Sequence, residues 1–223
     1  MDYSFDFGAV TRNLDPLFRG LWITVQLTVA ANAIGLTLGF VVALLLLSRS
    51  AVVRMPVTLF VEFFRCTPAL IQIVWFFYCV PLIFNVFLDS LTMGILALGL
   101  NLTAFNAEAY RAAIQSVPRE HLDASVALGL SPLQRILHVV LPQAVRASVP
   151  VLLTNGVGIF QQTALVAVVA VADLMYEGKS LATVTYRPIE TFTTVALIYF
   201  AVSFPITQFV GWLERRRELA MAR

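Results

Sequence analysis

The chain has 223 residues, of which 59% are apolar and only 13% charged, with a net charge of +2. Water-soluble domains carry about 25% charged residues, so a water-facing globule of this length is excluded, and the charge leaves no footprint for nucleic acid. A mean hydropathy of +0.84 fits an all-α polytopic bundle whose natural partner is the lipid bilayer.

Charge-free runs place the spans. Gly20–Ser48, Cys66–Leu88, Ser90–Ala107, Ala147–Ala172 and Thr191–Leu213 contain no Asp, Glu, Lys or Arg over 29, 23, 18, 26 and 23 residues. About 20 apolar residues cross a hydrocarbon core roughly 30 Å thick. Five transmembrane helices are therefore predicted, at about 20–48, 57–88, 90–116, 141–172 and 191–213. The segment 1–19 before them holds Asp2, Asp6 and Asp15 without a basic start, unlike a cleaved signal peptide. Its first span reads as an uncleaved anchor.

Arginine and lysine in short loops collect on the cytoplasmic side. With the N-terminus outside, the inner side receives Arg49, Arg54, Arg119, Arg135, Arg215, Arg216, Arg217 and Arg223, and the outer side Arg12, Arg19, Lys179 and Arg187. Eight against four predicts an N-out/C-in topology, with 117–140 as a cytoplasmic loop and 215–223 as a cytoplasmic tail.

Within the second and third spans, Glu62 and Arg65, and likewise Glu108 and Arg111, are three residues apart. That spacing puts each acid and base on one helix face, close enough to pair. A charge inside the bilayer costs at least about 2.5 kcal/mol, so the pairs serve either as structural clamps or as a polar path for a charged solute. Cys66 and Cys79 are thirteen residues apart, about 20 Å along one straight helix, which excludes a bridge between them. Pro68, Pro142, Pro150 and Pro205 are expected to interrupt or bound spans, and Asn155-Gly156-Val157-Gly158 is a further weak point beside Gln161 and Gln162.

The loop 117–140 carries its own signals. Pro118 suits a first helical turn and Gly129 a C-terminal cap; Ser131-Pro132 then starts a second helix. Such a helix–turn–helix is either an amphipathic connector lying on the membrane or a docking knob for a cytosolic partner. No catalytic site is legible. Gly178-Lys179-Ser180 lacks the earlier glycine of a phosphate loop, since Asp173 stands there. His121 and His138 have no metal-ligand spacing. The chain is expected to bind no cofactor, and any active transport needs a separate ATPase.

The stretch His121-Leu122-Asp123-Ala124-Ser125-Val126-Ala127-Leu128-Gly129-Leu130-Ser131, continued by Val139-Val140-Leu141-Pro142, resembles the EAA loop of ABC importer permeases. Asp123 stands for Glu, Ser125 for Ala and Val139 for Ile, while the glycine and Leu-Pro spacing is intact. The resemblance implies that residues 119–137 form a coupling helix seated on an ATP-binding subunit, with Asp123, Ala124, Ser125, Leu128, Gly129, Leu130, Ser131, Leu141 and Pro142 in that role. Glu62-Phe63-Phe64-Arg65-Cys66-Thr67-Pro68, Ala104-Phe105-Asn106-Ala107-Glu108 and Gln161-Gln162-Thr163-Ala164-Leu165 resemble segments of the polar amino-acid subgroup. Cys66 replaces its glycine and Gln162 its acid. Trp75-Phe76-Phe77-Tyr78 and the uncharged Gln161-Gln162 look most like glutamate/aspartate-type members.

That resemblance implies a bacterial inner-membrane permease with a periplasmic N-terminal segment and a transmembrane domain over 20–214. Its partners would be two ATP-binding subunits holding ATP and Mg, a second permease copy, identical or related, and a periplasmic substrate-binding protein. Glu62, Arg65, Glu108, Arg111, Gln161, Gln162 and Thr163 are its substrate-path candidates. A non-transporting scaffold or intramembrane enzyme is the alternative, but it gives no reason for both the loop spacing and the Glu-x-x-Arg pairs.

Overall fold

A computed structural model describes residues 5–221, with side chains as far as Arg215. Asp2 and the tail cations Arg216, Arg217 and Arg223 fall outside the described side chains. In chain order the helices are α1 Gly8–Thr11, α2 Leu14–Leu46, α3 Ala51–Cys66, α4 Ala69–Phe84, α5 Ser90–Gln115, α6 Arg119–Ala127, α7 Pro132–Arg135, α8 Leu141–Gln162, α9 Leu174–Thr185 and α10 Pro188–Met221. A π-helical turn, Ile136–Val140, joins α7 to α8, and a 3-10 segment, Thr163–Val169, follows α8. Four helical runs are long and apolar enough to cross a membrane, and the bent pair α3–α4 makes a fifth.

The second span differs from a single straight helix. Thr67 and Pro68 are extended, as the residue before a proline prefers, and α4 turns 109° away from α3. A helix end inside lipid must still satisfy its carbonyls. Gln72 does this, donating from Nε2 to Phe64 O at 2.8 Å and Thr67 O at 3.1 Å. Asn101 on α5 in turn donates to Gln72 Oε1 at 3.0 Å. Cys66 and Cys79 therefore lie on different helices, and both are free thiols. By contrast Pro150 and Pro205 sit inside unbroken helices, and α8 also continues without a break through Asn155–Gly158. Of the four flagged prolines two bound helices: Pro68 is the N-cap of α4 and Pro142 stands in the first turn of α8. Pro142, which lacks an N–H, comes two residues after the end of the π-helical turn Ile136–Val140.

The seam between α2 and α5 forms the bundle's spine. The side of α2 bearing Leu27, Ala31, Gly35, Gly39 and Ala43 is buried. Close approach of backbones through small residues is the main source of helix association in lipid. At Gly39 a Cβ would lie 2.9 Å from Asn106 Cβ and 3.2 Å from Thr103 O, so only glycine fits. The core divides along this seam into a middle cluster around Leu27, Leu98 and Ile159, and a cluster at the α3 end around Ala43, Phe64 and Ala104.

A third cluster, Val10, Leu17, Leu174, Leu181 and Val195, joins α1 and the start of α2 to α9 and α10. Helix α9 is capped by Asp173, whose Oδ1 accepts from Tyr176 N at 2.9 Å and whose Oδ2 accepts from the Tyr199 hydroxyl at 3.3 Å. Asp173 is fully buried, and burial pushes its carboxyl above the ordinary range. Gly178, from the failed phosphate-loop pattern, is a packing residue: its Cβ would fall 2.6 Å from Val195. Buried Glu190 accepts from Asp6 N at 2.9 Å and lies 3.7 Å from Arg187, which ties the chain start to α10.

Candidate functional site: an exposed helix turn and a polar flank of the fourth span

Helix α6 ends through local hydrogen bonds that demand glycine. Leu130 N donates to Ser125 O at 3.1 Å and Gly129 N to Val126 O at 2.9 Å, the paired bonds of a Schellman cap. Gly129 has φ +72°, the left-handed conformation that a Cβ disfavours. Ser131 and Gln134 then form a reciprocal capping box with Pro132 in the first turn. From Pro132 the helical path runs on to Val169 as one 38-residue unit. The second arm of the expected helix–turn–helix is thus the extended end of the fourth span, and the separate knob is α6 with the turn 128–131.

The nine loop residues differ in exposure. Asp123, Ala124, Leu128, Gly129, Ser131, Leu141 and Pro142 are exposed and Leu130 is half-buried. Ser125 is buried, its hydroxyl donating to Leu122 O at 2.6 Å. Around them an apolar surface faces outward: Leu128 is 79% exposed, with Val126, Leu133 and Ile136 also open. Apolar residues rimmed by polar ones mark interaction surfaces. His121 Nδ1 meets Gln143 Oε1 at 3.0 Å, tying α6 to the start of α8.

Both acid–base pairs form. Arg65 and Glu62 are 3.4 Å apart and half-exposed on α3; Arg111 grips Glu108 at 2.6 Å on α5. The Arg65 guanidinium also lies 5.9 Å from the Phe105 ring centre, so the α3 pair reaches the α5 surface one turn before Glu108. The glutamines separate. Gln161 is exposed and lines a cavity of about 250 Å³ with Thr154, Val157, Gly158 and Thr207. Gln162 lines a second, of about 130 Å³, with Asn101, Phe105, Thr154, Asn155 and Gly158. Thr163 lines neither; it is buried, and its hydroxyl donates back to Phe160 O at 2.8 Å.

The residues that sequence reasoning passed over are neutral amides. Asn155 Nδ2 donates to Asn106 Oδ1 at 3.0 Å, and Asn106 is fully buried. Asn106 Nδ2 and Gln162 Oε1 are buried without a partner. The available signal was their presence inside charge-free runs, where an amide needs a reason to be in lipid. A larger cavity of about 490 Å³ between α2, α8 and α10 is apolar. Its two polar residues turn inward, Thr28 to Thr24 O and Asn32 to Thr28 O, so it suits a hydrocarbon chain and not a charged solute.

A multi-span helical bundle with an exposed, glycine-capped helix at the foot of one span is the build of a membrane transport component. The model of the family described as binding-protein-dependent transport system inner membrane component matches residues 35–219, and the chain belongs to that family. It is 34% identical, over 96% of its length and 99% of the relative's, to the glutamate/aspartate import permease protein GltK of Escherichia coli O6:H1. It is 30% identical to the probable amino-acid ABC transporter permease protein PatM of Vibrio harveyi, over 98% and 99% of the two chains. The crystal structure of an amino acid ABC transporter with histidines superposes with a TM-score of 0.90 at 28% identity, covering 96% of this chain and 100% of that one. The chain is therefore an inner-membrane permease component. Its family is a non-catalytic subunit class that works with ATP-binding subunits and a substrate-binding protein.

Proposed function

We propose that this chain is the permease subunit of an ATP-driven importer of polar amino acids, of the glutamate/aspartate type. It pairs with a second permease copy, identical or related, to enclose the path. Two ATP-binding subunits, which hold the ATP and Mg, dock on the α6 turns, and a periplasmic protein delivers substrate. The chain lies N-out/C-in, with 1–19 periplasmic, 20–214 in the transmembrane domain and the tail cytoplasmic. The charge bias of the loops supports this orientation.

The observation that carries the reading is the Schellman turn at Gly129 beside the outward-facing Leu128, joined to the relationship with GltK over nearly the full chain. Glu62, Arg65, Glu108 and Arg111 supply paired charges along the path. An arginine's planar fork matches a carboxylate, and an acid can meet an α-ammonium. The scaffold alternative has no observation in its favour.

The test is co-purification combined with a turn variant. Tagged chain should bring down an ATP-binding subunit, and Gly129→Val should weaken coupling while the protein still inserts. Valine suits the test because a β-branched residue does not tolerate left-handed backbone. Recovery of no ATP-binding subunit, or full uptake by Gly129→Val, contradicts the proposal.

A further inference from the structure

The apolar cavity of about 490 Å³ between α2, α8 and α10 lies away from the polar flank of α8. Its wall on α8 runs from Val149 to Phe160, about 16 Å of helix rise. At 3.6 residues per turn, Val149, Leu152 and Gly156 stand opposite Thr154, Gly158 and Gln161, which line a separate cavity. On α2 the wall includes Val29 and Leu36, which are 64% and 38% exposed. The cavity is therefore a groove open at the bundle surface.

Arg146 stands at one end of this groove. It precedes Val149 by three residues and Leu153 by seven, so it shares their helix face. It is the last charged residue before the charge-free run Ala147–Ala172, at the membrane boundary on the α6 side. Helical side chains point back toward the N-terminus of their helix, so its guanidinium leans out of the hydrocarbon toward the headgroup layer. Trp212, exposed near the close of the charge-free run on α10, marks the start of that layer.

Arg65 and Arg111 are each paired with a glutamate. The Arg146 side chain is exposed and makes no ion pair or hydrogen bond among the described residues. The groove lining holds no carboxylate. A second copy seated here about a two-fold axis would present the same patch and bring no anion to that arginine. A phospholipid supplies both missing parts. Its acyl chain fills the apolar groove, and its phosphate accepts paired hydrogen bonds from a planar guanidinium. A zwitterionic headgroup carries its own ammonium beside the phosphate, which opposes Arg146, so an anionic headgroup is favoured.

We propose that the α2–α8–α10 groove holds an acyl chain of an anionic phospholipid whose phosphate is bound by Arg146. The N-out/C-in orientation places that lipid in the inner leaflet. The site itself does not depend on which solute the chain carries.

The test uses the assembled complex of the chain with its ATP-binding subunit, stripped of lipid by detergent exchange and titrated with lipid under native mass spectrometry. The wild type should bind phosphatidylglycerol about tenfold more tightly than phosphatidylethanolamine, a difference of roughly 1.4 kcal/mol. Arg146→Gln should erase that preference. Val29→Trp, at an exposed position that lines the groove, should weaken binding of both lipids and leave the preference. Lys179→Gln, which removes an exposed cation on α9, should change nothing, and glycerol phosphate, a headgroup without chains, should not compete.

An unchanged preference in Arg146→Gln, an equal loss in Lys179→Gln, or full competition by glycerol phosphate overturns the site. So does a Val29→Trp protein that binds both lipids as the wild type does. Release of a permease copy by Val29→Trp also overturns it, by assigning the groove to the second copy. Lipid binding is read without substrate or ATP. Its failure leaves the permease reading standing, and a failure of amino-acid uptake leaves the lipid site standing.

Discussion

Gly39 and Gly158 look alike in the sequence, each a glycine in a charge-free run, yet their surroundings are opposite. At Gly39 two helices meet so closely that a methyl group would strike Asn106 and approach the Thr103 carbonyl. At Gly158 a methyl group would meet open space bordered by amides. The contrast separates the tightly packed α2–α5 seam from the flank of α8, where space is left beside the helix. A glycine in a membrane helix is thus no guide to function until its neighbours are known.

The sharpest way to break this comparison is Gly39→Leu. The seam cannot move without separating α2 from α5, so overpacking should cost about 3 kcal/mol or more, read as loss of a monodisperse peak in detergent. Normal yield and melting would show the seam to be soft. Next in size is Gly129→Val, in which a β-branched residue must adopt φ near +72°. Insertion should be normal and ATP-driven uptake should fall by about tenfold or more, for a strain of about 1–2 kcal/mol.

Asp173 gives a smaller and more diagnostic effect. Asp173→Ala removes the α9 cap and should lower stability by about 1 kcal/mol. Asp173→Asn keeps a capping oxygen and removes the desolvated charge, so it should match or exceed the wild type. Because burial raises the folded-state pKa of Asp173, its contribution is fully present below the ordinary carboxylate pKa of 3.8 and is lost as pH rises through the raised value. Thermal unfolding of the wild type should therefore show a loss over that window which Asp173→Asn lacks, and identical pH profiles would refute this role. Smallest of all is Gly158→Ala, which meets nothing and gains helix propensity. Stability should be equal or up to about 1 kcal/mol higher, and a clear loss would mean that the open space is filled in the native membrane.

Much of the fold was legible in the sequence because burying charge is costly. The charge-free runs mark the bundle's long helices, and Gly129 with Ser131-Pro132 marked the α6 turn through purely local capping rules. The 109° bend was not legible. Pro68 signalled a break, but its sharpness depends on Gln72 and on Asn101, 29 residues further along, satisfying the broken helix end. Helix α9 was missed because it is short and carries Glu177 and Lys179, and because Asp173, its cap, served in the sequence only to reject a phosphate loop. Two residues of the candidate site were visible as Gln161 and Gln162. The rest, Asn101, Thr154 and Asn155, comes from two helices far apart in sequence and meets only through the packing of α5 on α8.

The central claim is that this chain is an amino-acid path driven from the Gly129 turn. Its most direct test is labelled L-glutamate uptake and ATP hydrolysis measured together in proteoliposomes holding the chain, its ATP-binding subunit and its binding protein. The account predicts accumulation with hydrolysis in the wild type, and hydrolysis with little accumulation in Gly129→Val. Equal accumulation by both proteins, or none by the wild type with active ATPase present, would contradict it.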